Sequence, residues 1–295
     1  MRVKVLGAAA GGGLPQWNCG CPNCRDAREG RLPRMTQSSV AVSVDGRDWV
    51  VLNASPDIHA QIEATPELWP RALRDSPIRA VICTNGDIDH IAGLLTLREG
   101  QAFDLWATGA GLAVIASDRV FGVMNPDKVP RRRITLDQAF EPLPGLQVTA
   151  FAVPGKVALF LEGATPDPAR LGEETVGLRL QAGGRVAYYI PGCAALPDWL
   201  LARIADGDLL LFDGTVWTDD EMATAGTGTK TGARMGHLAI SGPEGSLARL
   251  ASTAARKVLI HINNTNPILR PDGPERAELE ALGWTVAHDG MEIDA

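Results

Sequence analysis

Asn85, Asp87, Asp89 and His90 fall within the run T-N-G-D-I-D-H (84–90), directly after the apolar, β-branched stretch 78–83. A strand that ends in amide, carboxylate and imidazole groups crowds oxygen and nitrogen donors around one point. That crowding is costly unless a cation or hydrogen-bond donors share the point. Two readings fit the spacing equally: a metal site, or an Asp/Asn-rich turn that caps the helical stretch 91–98. A second cluster lies earlier, in Cys19-Gly20-Cys21-Pro22-Asn23-Cys24. Three thiols on one Gly- and Pro-bearing turn can converge on an ion, and clustered thiolates suit tetrahedral zinc. One position stays open, with His261 and Asn264 as candidates and Asp or His elsewhere as alternatives.

Five cysteines, an odd count and no secretion signal argue against a disulfide framework. Cys83, inside an apolar run, reads as core. A net charge of −7 argues against a nucleic-acid partner held by a basic surface. The one dense basic run, Arg131-Arg132-Arg133, reads as a solvated loop. No apolar stretch reaches membrane-span length, so the expected compartment is the cytoplasm. The first residues read as a strand rather than a leader.

These clusters need elements to position them. Residues 38–44 and 47–53, joined by Asp45-Gly46, form a predicted hairpin. Further strands are expected at 103–107, 146–153, 158–162, 175–181, 185–190, 208–212, 257–261 and 284–288. Helices are expected at 56–64, 111–117, 198–204, 243–255 and 274–282. The rhythm is a hairpin-rich first half and a second half like it, with neither repeat nor linker. Two face-to-face sheets with helices outside would bury these strands in one domain, 1–295, with a Cys-rich loop at about 17–25.

The motifs N-C-G-C-P-N-C, T-N-G-D-I-D-H-I-A-G-L, M-G-H-L-A-I and H-I-N-N-T-N-P-I-L together resemble the pyrroloquinoline quinone (PQQ) biosynthesis B family of the metallo-β-lactamase-fold superfamily. The resemblance runs from the first strand to Leu269 and implies an α/β fold, a four-layer αββα sandwich. The superfamily signature H-x-H-x-D-H would align with Asn85, Asp87, Asp89 and His90, so two imidazoles are replaced. Where a hydrolase of the fold has a further histidine, Val153-Pro154-Gly155 is followed by Lys156. Where it has a bridging aspartate, Ile190-Pro191-Gly192 is followed by Cys193. A two-zinc hydrolytic centre is therefore not expected.

Asp89, His90 and His261, with Asp87 or Asn85 nearby, would supply two imidazoles and a carboxylate, the pattern of non-haem Fe(II) sites that activate dioxygen. The resemblance implies the same chemistry: Fe(II)- and O2-dependent hydroxylation of the tyrosine ring in a Glu–Tyr-derived PQQ precursor. It also implies an alternative, a carrier that moves PQQ or its precursor toward the periplasm. By position, His237 matches a place where related enzymes hold a proton donor, and Asp213 could orient it or contact metal. Lys156 and Arg179 are candidates for the carboxylates of the substrate. The expected cofactors are Fe(II) at the active site and structural zinc at Cys19, Cys21 and Cys24. The expected partners are a small-molecule or dipeptide substrate and O2, with room for a homodimer. Residues 226–232 lack P-loop spacing and read as a mobile loop that could close over the site. His59 and His288 lack a metal-like context.

Overall fold

Alternation along the strands decides the architecture. Val40, Val42, Val50, Leu52, Ala80 and Ile82 enter one buried cluster, while Ala41, Trp49, Val51, Ile78, Val81 and Cys83 enter another. Successive side chains of a strand point to opposite faces, so a sheet with both sets apolar must be covered on both sides. The computed structural model describes residues 1–163, 167 and 170–294. One sheet contains β1 (Arg2–Gly7), β2 (Ser39–Ser43), β3 (Trp49–Leu52), β4 (Ile78–Ile82), β5 (Asp104–Thr108), β6 (Arg131–Ile134) and, from the far end of the chain, β14 (Glu292–Asp294). The other contains β7 (Ala139–Leu143), β8 (Leu146–Ala152), β9 (Val176–Ala182), β10 (Arg185–Ile190), β11 (Leu209–Asp213), β12 (Arg256–Ile260) and β13 (Trp284–Val286).

The first sheet runs β14-β1-β2-β3-β4-β5-β6 and the second β13-β12-β11-β10-β9-β8-β7. In both, antiparallel pairs give way to parallel ones: from β3 to β6 in the first, from β10 to β13 in the second. The sheets face each other across the larger core. Ile58, Ile91, Leu94 and Ile115 cover the outside of the first sheet, and Leu200, Leu247 and Leu279 pack with the second. This is the expected αββα sandwich. Parallel strands need crossovers, and their carboxyl ends form the rim where irregular loops collect functional groups.

Most expected elements form with ends shifted by a residue or two, including the 38–53 hairpin, whose register pairs Val40 with Leu52. Three expectations are corrected. Residues 158–162 are not a strand but a single 3-10 turn, Leu159–Leu161, because β8 pairs directly with β9 and leaves this apolar run no partner. Arg131-Arg132-Arg133 are not a loop; they form the edge strand β6, paired with β5, and keep their side chains in solvent. The helix expected at 243–255 is reduced to Ser246–Arg249. No helix among the described residues is long and apolar enough to cross a membrane.

Candidate metal centre

Each chemical residue of the 84–90 run is placed by the end of β4. Asn53, which follows β3 in the left-handed region (φ 61°), accepts the Thr84 amide at 2.8 Å and donates to the Thr84 hydroxyl at 3.0 Å. The two strand ends are thus clamped together. The helix Ile88–Ile91 and the 3-10 stretch Ala92–Arg98 follow, and the Gly93 amide bonds the Ala54 carbonyl at 2.9 Å. Only glycine fits there, since a Cβ would lie 2.1 Å from the Ser55 carbonyl oxygen. This close approach seats His90, whose own carbonyl accepts the Ala54 amide at 2.8 Å.

His90 is buried, and its Nδ1 lies 2.7 Å from Asn85 Oδ1, an acceptor. The proton therefore sits on Nδ1 and Nε2 carries the lone pair. That Nε2 is buried with no hydrogen-bond partner among the described residues. It lies 3.7 Å from Asp89 Oδ2, and the same oxygen is 3.1 Å from His261 Nε2. His261 comes from the end of β12 on the opposite sheet, with its Nδ1 2.8 Å from the Thr215 hydroxyl. Its backbone is left-handed (φ 60°), which costs a residue with a Cβ about 1–2 kcal/mol and persists only where surroundings enforce it. The three ligand atoms of Asp89, His90 and His261 lie within 4.8 Å of one another.

The electrostatics match the geometry. Burial pushes the Asp89 carboxyl upward, but the His90 and His261 imidazoles outweigh it and hold the group far below the usual carboxylate range. Burial lowers the His90 imidazole, against the pull of the Asp89 charge. Burial also opposes charge on His261, yet its hydrogen bond to Asp89 and the nearby carboxylates raise it. Without a cation, this cluster keeps a carboxylate charged and one imidazole nitrogen orphaned. A divalent ion would satisfy both.

A second group adjoins it. Asp213, fully buried at the end of β11, accepts from Thr215 N (3.0 Å) and Thr215 Oγ1 (2.6 Å) through Oδ1. Through Oδ2 it accepts from Cys193 N (2.9 Å) and His237 Nδ1 (2.7 Å). Four donors use up the carboxylate, so Asp213 orients His237 and leaves that ring's Nε2 free. Thr215 joins the two groups, because its hydroxyl also meets His261 Nδ1.

Asp89, His90, Thr215, His237 and His261 line a cavity of about 240 Å³ with Asn85, Asp87, Lys156, Glu162, Lys230 and Arg234. Asp87 is at the wall, where its Oδ1 accepts the Leu159 amide at 3.0 Å, and it stands outside the Asp89, His90 and His261 ligand group. Lys156 and Arg234 both pair with the shielded carboxylate of half-buried Glu162, at 3.1 and 2.8 Å. Lys230, from the 226–232 loop, lines the same cavity. Arg179 does not line it: on β9 its guanidinium bonds Asp206 Oδ2 and Gln181 Oε1, both at 2.7 Å. His59 and His288 are also elsewhere. Thr215, Glu162, Lys230 and Arg234 went unread in the sequence; only Thr215 carried a signal, two residues after a strand-end aspartate.

A larger apolar hollow of about 340 Å³, lined by Gly86, Ala110, Val114, Val157 and Leu161, adjoins this cavity. Histidine and cysteine are absent from its lining, so the chemistry belongs to the smaller, polar cavity.

The thiol cluster is built differently. Cys21 caps the helix Pro22–Arg28, its sulfur accepting the Cys24 amide at 3.4 Å. Amides of Cys21 and Gln16 reach the sulfurs of Cys19 and Cys24 at 3.4 and 3.3 Å. The Asn264 side-chain amide lies 3.2, 3.5 and 3.3 Å from the sulfurs of Cys19, Cys21 and Cys24. A tetrahedral zinc with sulfur ligands at about 2.3 Å and an oxygen ligand at about 2.0 Å has a sulfur–oxygen edge of about 3.5 Å. Asn264 therefore stands where a fourth ligand belongs, with its amide oxygen reached by a flip. Of the two candidates, His261 instead joins the strand-end group.

Residues 48–262 match a family model described as the beta-lactamase superfamily domain, and with the two facing sheets this defines a metallo-β-lactamase-fold protein. The chain is 59% identical over 293 residues to coenzyme PQQ synthesis protein B of Ruegeria pomeroyi, covering 99% of both chains. The crystal structure of Zn(2+)-bound PqqB from Methylobacterium extorquens superposes with a TM-score of 0.99 at 57% identity, covering 100% of both chains. The fold is also that of a diphosphatase from the PhnP family, at a TM-score of 0.71 and 21% identity over 99% of this chain and 97% of that one. The chain belongs to the coenzyme PQQ synthesis protein B family, which places it in PQQ synthesis.

Proposed function

We propose that the chain is an Fe(II)- and O2-dependent hydroxylase of the tyrosine ring in a Glu–Tyr-derived PQQ precursor, with a structural zinc held by Cys19, Cys21, Cys24 and Asn264. The observation that carries this reading is the orphaned, buried Nε2 of His90 beside Asp89 and His261. Two imidazoles and one carboxylate with open positions are the donor set of non-haem iron oxygenases. When bound, the iron would supply dioxygen activation. Overall, one oxygen atom converts a ring C–H to C–OH, and the other leaves as water with two electrons and two protons from an external two-electron reductant. The Zn(2+)-bound relative supports metal binding by this family.

The chain's own residues do the rest. Asn85 fixes the His90 tautomer, and Thr215 holds the His261 ring. Asp213 holds His237 through Nδ1, so Nε2 is available to accept or return a proton at a phenol oxygen. Lys230, with the Lys156–Glu162–Arg234 group, gives the mouth of the cavity positive charge for substrate carboxylates. Hydrolysis by two metals is disfavoured, since Asn85, Asp87, Lys156 and Cys193 replace ligands and Asp213 is saturated by donors.

The test loads purified protein with Fe(II) without oxygen, adds Glu–Tyr and ascorbate, admits air and weighs the dipeptide by mass spectrometry. An iron-dependent gain of oxygen on the tyrosine is expected. An unchanged dipeptide with iron confirmed bound sinks the reading and favours the carrier, which would bind PQQ without any metal.

A further inference from the structure

One short stretch belongs to both clusters. His261 supplies the strand-end group, and Asn264, three residues on, meets all three sulfurs. Three residues span at most about 11 Å, so the two clusters are near neighbours joined by continuous backbone. Everything between them is pinned. Ile262 N donates to Ala8 O at 2.9 Å, Ala10 N donates to Ile262 O at 2.8 Å, and Asn263 N donates to Thr215 O at 3.1 Å. The thiol-bearing helix adds its own hold, because Asn23 Nδ2 donates to the carbonyls of Asn264 (3.1 Å) and Asn266 (3.0 Å). Asn266 in turn donates to the carbonyls of Gly214 (2.9 Å) and Thr215 (3.2 Å), in the loop that carries Asp213.

Against this stands the left-handed backbone of His261, which a non-glycine residue leaves when its surroundings slacken. We propose that Asn264 is a positioning residue for the strand-end site: docked on the filled thiol site, it holds the His261 imidazole toward Asp89 and His90, so the two sites bind their metals cooperatively. The inference rests on the metal assignment above. By linkage, zinc at the thiols tightens Fe(II) at the strand ends by the same factor that Fe(II) tightens zinc.

The test compares full-length zinc-loaded protein with Asn264→Ala and Asn264→Asp. It reads anaerobic Fe(II) affinity and amide hydrogen exchange at residues 262–266. Asn264→Ala is expected to weaken Fe(II) about tenfold or more, within the usual range of coupling factors, and to speed exchange in that stretch. Asn264→Asp, which keeps an oxygen ligand, is expected to restore both. Unchanged affinity and exchange in Asn264→Ala, or an Asn264→Asp no better than it, overturns the proposal. Should Asn264→Ala fail to fold, stripping zinc from the native chain serves instead, and unaltered exchange at 262–266 overturns it equally. A native, zinc-loaded chain that takes no Fe(II) at the strand ends defeats the iron reading alone, because the exchange comparison still decides the positioning role.

Discussion

The thiol cluster and the strand-end cluster are two ways to gather ligands. Cys19, Cys21 and Cys24 lie on one turn and the start of one helix, so their convergence is a property of local backbone. Asp89, His90, His261 and Asp213 lie at or after the ends of strands in two sheets and His237 comes from the loop after the helix Gly232–Met235, so theirs is a property of the whole fold. The local cluster borrows one distant group, Asn264. The distributed cluster is held by neighbours outside the ligand group: Asn85 on His90, Thr215 on His261 and Asn53 on Thr84. Local sites can thus be damaged one residue at a time, whereas the distributed site depends on the packing between sheets.

Asp89→Ala or His90→Ala gives the largest expected effect. Either should lower Fe(II) affinity by more than about 100-fold, beyond what removing a supporting residue costs. Zinc at the thiols should remain, which elemental analysis reads directly. Loss of both metals together would mean that the clusters are not separable. Next, His237→Ala or Asp213→Asn should lower turnover by roughly 10²–10⁴-fold, as expected for removing a positioned proton carrier. Metal content should not change, and a parallel fall in iron would make them ligand-holding residues instead.

Asn85→Ala frees the His90 ring to change tautomer and should weaken Fe(II) about 10–100-fold, as read by anaerobic titration. Affinity should also depend on pH with a definite sign. The proton on His261, held more tightly than usual by Asp89, competes with the metal. Affinity should therefore fall as pH drops through the raised His261 value, by about tenfold per pH unit for one displaced proton. In the metal-free chain the same proton stabilises the fold below the unfolded imidazole value of about 6.5, and that contribution is lost as pH rises through the folded one. An Fe(II) affinity flat across this window would remove His261 from the ligand set. Smallest of all, Arg179→Ala should cost at most about 1 kcal/mol in thermal unfolding and leave KM unchanged, since its ion pair with Asp206 is partly exposed. A raised KM would return Arg179 to the substrate.

What was legible in the sequence follows the same division. The cysteine trio and the 84–90 run announced themselves, because their residues are adjacent in sequence. The sandwich was legible through hairpin and strand rhythm together with family resemblance. The apolar run 158–162 misled, since nothing local says that β8 and β9 leave it without a strand to pair with. Arg131-Arg132-Arg133 misled in the opposite sense: charge hides an edge strand whose only duty is to pair on one side. Glu162 and Lys230 were invisible, because their meaning exists only once the loops after β8 and β11 meet over the cavity. Arg179 looked like an anion-binding residue by charge alone, and Asp206 shows what that charge serves.

The strand-end site has one ligand far downstream of the others, and this sets a timetable. During synthesis His261 follows His90 by about 170 residues, or roughly 10–30 s at about 5–20 residues per second. Throughout that interval a growing chain already offers all three thiols to passing ions, while the Asp89–His90 turn offers only part of a grip. The thiols therefore meet the cell's metal pool first, under thiol-favouring conditions. The oxygen- and nitrogen-rich site chooses its ion only after the second sheet has closed around it.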